Sequence, residues 1–253
     1  MCAVSGVLRD YSRQAETYDA TRSASPSVLG PLRAALKGAP SHRLVDVGGG
    51  TGNYARALRD DGWDPLLVDR SPAMLARARE KGLKTLEGDA QQLPLADECA
   101  DAVMLVSMLH HVDDPAKALA EARRLLRPGG RLALTVSTRE DLEAQWYSDY
   151  FPSTREWMVR SHPPLAEPLE HLPGARHVPI HFHDLQDGSL PALAAHPHLV
   201  LEERWRRQTS YFERLERDHP QELRRGLDRL RENVEAGHPP KATGGVTLIA
   251  WTR

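Results

Sequence analysis

Four glycines within five residues join a strand-like segment to a helical one, and this junction most constrains the fold. Arg43–Val47 is a short apolar run, Gly48-Gly49-Gly50-Thr51-Gly52 follows it, and Asn53–Asp60 has a helical pattern. Glycine lets the backbone turn sharply and approach a ligand without a side-chain clash, and the helix start offers unpaired N–H groups. The sequence therefore predicts a ligand site at the carboxyl end of this strand.

Alternating strand and helix signals continue as far as residue 137. Ser71-Pro72 and Asp114-Pro115 each place a capping side chain before a proline, which is typical of a helix start. Short apolar segments predict further strands at 65–68, 84–87, 101–107 and 131–136. Strands that alternate with helices over short links predict a doubly wound α/β fold with a mostly parallel sheet covered on both faces.

Beyond residue 137 the pattern is less regular. Residues 138–197 are rich in Pro, His and Trp, and they are interpreted as a cap inserted on the substrate side. Aromatic residues from Trp146 to Trp157 either wall a substrate pocket or form the core of this cap, and the second role is favoured.

The remaining segments complete the predicted architecture. A strand is predicted at 198–205, a helix at 210–236 with a break at Pro220, and a last strand at 246–252. The predicted parts are an N-terminal helical lid at 1–40, a cofactor-binding core at 41–137, the cap at 138–197, and C-terminal strands and helix at 198–253. Together they predict a seven-stranded sheet.

Composition narrows the functional classes. The formal net charge of -2 does not favour a nucleic-acid or membrane partner, and no segment approaches the roughly 18 apolar residues of a membrane span. Two cysteines are too few for a disulfide framework, so a reducing, cytoplasmic location is expected. The pair His181 and His183 has no cysteine nearby, and no metal is expected.

The glycine loop by itself leaves two kinds of cofactor open. Gly50-Thr51-Gly52-Asn53-Tyr54-Ala55 matches the dinucleotide fingerprint G-x-G-x-x-A. Asp69 follows Gly50 by 19 residues, at the end of the second predicted strand. An acid in this place binds ribose hydroxyls in nicotinamide enzymes and in S-adenosylmethionine enzymes alike.

Five segments in a fixed order reduce that ambiguity. They are 46–52, 67–75, 88–95, 108–112 and 126–130. Together they resemble the class I S-adenosylmethionine-dependent methyltransferases, in particular the small-molecule branch that includes the ubiquinone and menaquinone methyltransferases. The resemblance covers roughly residues 43–137. It implies a Rossmann-like core, S-adenosylmethionine as the cofactor, and methyl transfer to a small-molecule acceptor by a monomer or homodimer.

The resemblance also implies which residues contact the cofactor. Asp69 would accept hydrogen bonds from both ribose hydroxyls, and Met74 would flank the adenine. The full set of implied contacts is Tyr18, Asp46, Gly48, Gly49, Gly50, Thr51, Asp69, Arg70, Met74, Asp89, Ala90, Gln91 and Ser107.

Several of these residues have structural alternatives. Asp46 either touches the ligand or holds the N–H groups of the loop. Asp89 either binds the adenine amino group or caps the following turn, and Met74 is alternatively a core residue. Tyr18 closes over the cofactor or packs against the core.

Two histidines are the candidates for a catalytic base. His110 and His111 follow the fourth predicted strand, and neutral imidazole suits proton removal from an acceptor, although either ring alternatively packs beneath the loop. One rival function is an NAD(P)-dependent oxidoreductase, for which the chain offers no Tyr-x-x-x-Lys pair. A second rival is a non-catalytic protein that binds S-adenosylmethionine.

Overall fold

The structure is a computed structural model that describes residues 19, 22–184, 188–241 and 244–253. Seven strands form one sheet in the order β3-β2-β1-β4-β5-β7-β6. Their bounds are β1 Arg43–Val47, β2 Asp64–Asp69, β3 Lys84–Glu87, β4 Ala100–Val106, β5 Leu126–Val136, β6 Arg176–His181 and β7 Gly245–Thr252. The pairs among β1 to β5 are parallel, whereas β7 is antiparallel to both β5 and β6. The predicted seven-stranded, mostly parallel sheet is confirmed.

Helices cover both faces of the sheet and build the cap. Their bounds are α1 Pro26–Leu36, α2 Asn53–Asp60, α3 Pro72–Glu80, α4 Pro115–Leu125, α5 Arg139–Glu143, α6 Tyr147–Tyr150, α7 Thr154–Ser161, α8 Ala166–Glu170, α9 Leu190–Ala194, α10 Glu203–Arg206, α11 Ser210–Asp218 and α12 Pro220–Glu235. Two 3₁₀ turns lie at Leu109–His111 and Pro197–Leu201. None of the described helices has both the length and the apolar character needed to cross a bilayer.

The predicted helix starts are confirmed by their capping bonds. The Asp114 carboxylate accepts a hydrogen bond from the Lys117 N–H at 2.9 Å, and the Ser71 hydroxyl accepts a longer one from the Met74 N–H at 3.4 Å. Each bond satisfies one of the N–H groups that a helix start leaves without a partner. With these caps, α3 begins directly after β2, and α4 begins after the 3₁₀ turn that follows β4.

The predicted strand at 198–205 is wrong. A 3₁₀ turn and α10 occupy these residues, because Leu199 and Val200 are buried in an apolar core outside the sheet. The missing strand is β6, which lies inside 138–197. Five of its six residues are exposed at the sheet edge, so the segment lacks the apolar alternation that would have marked it as a strand.

A separate apolar core joins the helices of 138–197 to those of 203–235, and these helices with the turns between them are together called the cap from here on. The buried aromatic members of this core are Trp146, Tyr147, Tyr150 and Phe151, together with Tyr211 and Phe212 of α11. The Trp146 indole N–H donates to the Ala194 carbonyl at 2.9 Å, which satisfies its buried polar group. The aromatic run is thus the core of the cap, the role favoured from the sequence.

Gly226 on α12 allows the close contact between this helix and the cap aromatics. A Cβ on Gly226 would lie 2.3 Å from Phe151 Cε1 and 2.7 Å from the Tyr150 carbonyl oxygen.

Gly226→Ala should therefore lower the free energy of unfolding by about 1–3 kcal/mol in urea titration, despite the better helix propensity of alanine. The exposed neighbour Arg225→Ala should stay within about 0.5 kcal/mol of the parent. Equal stability of both variants would contradict this packing.

Candidate functional site

A cleft of about 1210 Å³, its open mouth included, lies at the carboxyl ends of β1, β2 and β4. Most of the predicted site residues line it: Asp46, Gly48, Gly49, Gly50, Thr51, Asp69, Arg70, Met74, Asp89, Ala90, Ser107 and His111. Other lining residues were not among the predicted contacts, although some belong to the motif segments: Arg22, Ser23, Asn53, Tyr54, Gly88, Val106, Met108, Val112 and Ser189. Tyr18 lies outside the described residues.

The glycine loop lies directly against the sheet. Gly48 N–H donates to the Val68 carbonyl at 2.7 Å, which ties the loop to β2. Gly52 has a φ of +78°, and a Cβ there would lie 2.2 Å from Leu83 Cδ1. Glycine is therefore required at residue 52 by both backbone conformation and packing.

Asp69 joins the loop to the start of α3. Its two carboxylate oxygens accept hydrogen bonds from the Gly50 N–H at 2.9 Å and from the Ser71 N–H at 2.8 Å. Each carboxylate oxygen has two lone pairs, so these bonds leave acceptor capacity for ribose hydroxyls. The acid predicted to bind ribose thus also shapes the loop around it.

Asp46 is 2% exposed, and its carboxyl group faces the cleft. Of the loop N–H groups, Gly48 donates to Val68 and Gly50 to Asp69, and no described residue donates a hydrogen bond to the Asp46 carboxyl. Burial, and then the negative charge of Asp69, raise the pKa of Asp46 to about 8. Asp46 therefore does not hold the described N–H groups of the loop, and its role toward a ligand stays a prediction.

The turn after β3 is held by hydrogen bonds of Asp89 and Gln91. Asp89 Oδ1 accepts a hydrogen bond from the Gln91 N–H at 2.9 Å, so this carboxylate caps the turn while also lining the cleft. The Gln91 side-chain oxygen accepts from the Asp114 N–H at 2.8 Å. Gln91, a predicted cofactor contact, is thereby directed at the start of α4. Met74 is 4% exposed and lines the cleft, so its two predicted roles are compatible.

A clasp of Asp19, Thr51, Asn53 and Lys81 ties the N-terminal segment to the loop. Asp19 Oδ1 accepts hydrogen bonds from Thr51 Oγ1 at 2.6 Å, Lys81 Nζ at 2.8 Å and Asn53 Nδ2 at 3.1 Å. Burial acts to raise the pKa of Asp19, but the bonds from Lys81 and Thr51 outweigh it and the pKa is lowered. Lys81 also donates to the Thr51 carbonyl at 2.9 Å. No local motif marks Lys81, since its partners are distant in sequence.

Ser107 turns the chain sharply at the end of β4. It has a φ of +52°, a left-handed conformation that non-glycine residues rarely adopt. Its N–H donates to both the hydroxyl and the carbonyl of Thr135 on β5, at 3.0 and 3.1 Å. Such strain occurs where surrounding bonds enforce it, often at functional sites. This turn places the 3₁₀ segment that carries His110 and His111.

Three imidazoles connect the cleft to the cap. His111 lines the cleft, and its ring centroid is 3.9 Å from that of His110. His110 in turn stacks on His162 of the cap at 5.5 Å, with 23° between the ring planes. His162 Nδ1 lies 3.0 Å from the Met158 carbonyl of α7. Sequence reasoning missed His162, because only the fold brings the end of α7 beside the β4 turn.

These features suit a nucleoside with a cationic group and a protic reaction partner. The cleft offers acids and backbone groups on the loop side and an imidazole on the other side. Within the described ranges, no three His, Cys, Asp or Glu side chains are grouped as a metal site.

Comparisons with known proteins agree with this geometry. Residues 45–134 match the family model described as "Methyltransferase domain". An uncharacterized methyltransferase of Mycobacterium tuberculosis is 42% identical over 105 residues, which are 41% of this chain and 43% of that protein. A demethylmenaquinone methyltransferase of Renibacterium salmoninarum is 32% identical over 143 residues, which are 56% of this chain and 58% of the relative. The chain thus spans about half the length of the curated relatives it matches.

Several solved structures match most of the chain. One of them is a putative methyltransferase from an antibiotic biosynthesis pathway of Anabaena variabilis, 26% identical to this chain with a TM-score of 0.73. The match covers 92% of this chain and 99% of the other. The likeness therefore includes the cap as well as the core.

The pKa of Asp46 gives a measurable pH dependence. Because the pKa of this carboxyl is higher in the folded chain than in the unfolded chain, unfolding releases its proton between about pH 4 and 8. The free energy of unfolding should therefore fall as pH rises through this range. Relative to the parent, Asp46→Asn should gain more than about 1 kcal/mol between pH 5 and 8 in urea titrations.

The exposed Asp60→Asn is the matched control and should follow the parent at every pH. A difference between Asp46→Asn and the parent that stays constant with pH would show that Asp46 is ionised throughout.

Proposed function

We propose that this chain, whose core is that of a class I S-adenosylmethionine-dependent methyltransferase, transfers the methyl group of that cofactor to a small-molecule acceptor. The observation that carries the proposal is the cleft. It brings the glycine loop, Asp69 and the Asp89 turn together at one end of the sheet and adds His111 on the acceptor side. A nicotinamide enzyme of the kind that uses a Tyr-x-x-x-Lys pair for hydride transfer is not supported, since the chain has no such pair.

The residues of the cleft fit this cofactor. Asp46 is a buried carboxyl that faces the cleft without a donor among the described residues, and a cationic ligand would compensate its charge. Asp69 has acceptor capacity for ribose hydroxyls beyond its two backbone bonds. When bound, S-adenosylmethionine supplies a methyl group on a sulfonium, a leaving group that is already activated.

The protein then aligns the reacting groups, excludes water from them and supplies a proton acceptor. The loop and Asp69 hold the adenosine, and the cap covers the acceptor side, so the reacting groups are aligned away from bulk water. In this proposal His111, which lines the cleft, takes the proton that a hydroxyl or amine acceptor loses. His110 packs between His111 and His162 and supports the orientation of the reacting ring.

The acceptor wall is largely apolar. Val106, Met108 and Val112 line the cleft beside His111. An apolar molecule with one protic nucleophilic group fits this wall best. The likeness to a putative methyltransferase of an antibiotic pathway supports a role in secondary metabolism. The proposal includes a cytoplasmic monomer or homodimer, in keeping with the free thiol of Cys99.

Calorimetry with S-adenosylhomocysteine, NAD and NADP tests the cofactor assignment. The parent should bind only the first, and Asp69→Ala should weaken that binding about 10- to 100-fold, because a charged hydrogen-bond acceptor is lost. Asp64→Ala, at the other end of β2 in an exposed ion pair with Lys84, should bind as the parent does. Binding of NAD, or unchanged binding by Asp69→Ala, would refute the assignment.

Turnover of methyl-labelled cofactor with acceptors from a cell extract tests the catalytic role. His111→Gln should lower kcat about 100-fold or more while S-adenosylhomocysteine binding stays near the parent value, because the base acts only on the acceptor. The exposed His177→Gln on β6 is the control and should retain the parent rate. A parent that binds cofactor but labels no acceptor would be a non-catalytic binding protein.

A further inference from the structure

We propose that Lys81 is a positioning residue: its ammonium group fixes the glycine loop in the conformation that binds the cofactor. This inference rests on the proposed function. Lys81 lies between the motif segments 67–75 and 88–95, so the family resemblance assigned it no role. It is not among the residues that line the cleft, and it acts through the loop residues that do.

The Lys81 ammonium group has acceptors from three separate parts of the chain. It donates to Asp19 Oδ1 at 2.8 Å, to the Thr51 carbonyl at 2.9 Å and to Asn53 Oδ1 at 2.7 Å. An ammonium group has three N–H donors, so each of them is used. One cation therefore joins the N-terminal segment, the glycine loop and the start of α2.

The ion pair within this clasp is shielded from solvent. The Lys81 side chain is 15% exposed and that of Asp19 is 36% exposed. In the surface pair of Lys84 with Asp64, by comparison, the side chains are 68% and 58% exposed. Charged hydrogen bonds are stronger than neutral ones, and shielded pairs are weakened less by salt than surface pairs. We therefore expect the clasp to hold its partners more firmly than a surface ion pair would.

The glycine loop depends on such bonds because packing does not fix all of it. Gly50 has a φ of +57°, and no described atom beyond its chain neighbours lies within 4 Å of the place of a Cβ there. A glycine without such contacts has many accessible conformations. Asp69 holds this part of the loop through the Gly50 N–H. Lys81 holds the next part through the Thr51 carbonyl.

Both of these bonds start from the ends of one helix. Asp69 and the capping Ser71 precede α3, and Lys81 directly follows its last residue. Met74 and Ala78 on this helix are buried, which fixes α3 against the sheet. The loop is thus held at two points by opposite charges whose separation is set by a packed helix.

The clasp should act on affinity, since Thr51 lines the cleft and is buried. A site that leaves its binding conformation part of the time has an affinity reduced by that fraction. Loss of the clasp should therefore raise the dissociation constant of the cofactor and leave the number of sites per chain unchanged. A residue needed only for folding would instead lower the number of sites.

Calorimetry with S-adenosylhomocysteine separates these effects in the full chain, in Lys81→Met, in Asp19→Ala and in the double variant. Lys81→Met should raise the dissociation constant about 10-fold, as expected for lost bonds of a charged group. Asp19→Ala should raise it about 3-fold, because its carboxylate is more exposed. The double variant should be weakened by clearly less than the product of the two single factors, because both changes remove the same ion pair.

Two further lysine variants sharpen the test. Lys84→Met, which removes the surface pair with Asp64, is the matched control and should bind as the parent does. Lys81→Arg keeps the charge, but a planar guanidinium cannot direct three donors from one nitrogen, so it should recover only part of the affinity. Melting temperatures check that the variants fold, and Lys81→Arg with Asp19→Ala carries the test if Lys81→Met is too unstable to measure.

The remaining outcomes distinguish this inference from the proposed function. Parent-like affinity in Lys81→Met, or single factors that multiply in the double variant, overturns the inference and leaves the proposed function standing. Fewer sites per chain at an unchanged dissociation constant also overturns it, since Lys81 would then serve folding alone. A parent that binds no S-adenosylhomocysteine overturns the proposed function and this inference together.

Discussion

The pair of hydrogen bonds that Asp69 accepts from the backbone is the interaction on which the site depends. By holding the Gly50 and Ser71 N–H groups, one carboxylate joins the loop after β1 to the helix start after β2. A charged acceptor on backbone donors is stronger than a neutral one. The same group therefore shapes the loop and presents an acid to the cleft, so a change at this residue would alter both the loop and the proposed ribose contact.

The cleft concentrates features that would be costly elsewhere in the fold. Asp46 is a buried carboxyl with a raised pKa, and Ser107 has a left-handed backbone enforced by Thr135. Buried acids and strained residues persist where the surrounding structure compensates them. Both lie at the ends of central parallel strands, whose apolar packing is extensive enough to support such features.

The cap contributes contacts to the region of the cleft. Its aromatic core makes it a distinct packing unit, yet two of its groups reach the cleft region: His162 stacks on His110, and the Gln208 carbonyl holds Arg22. One contact is on the proposed acceptor side and the other beside the cofactor loop. A change in the packing of the cap would therefore disturb both contacts, one at each end of the cleft.

The sequence by itself determined the strands and helices of the core and most of the residues of its cleft. Glycines, capping residues and apolar runs act over a few neighbouring residues, so the structure that they favour can be predicted from the local sequence. Only the tertiary structure decided the edge strand β6, the Asp19–Lys81 clasp and the places of Arg22 and His162. Their partners lie dozens of residues away in the chain, and contacts over such separations leave no periodic trace in the sequence.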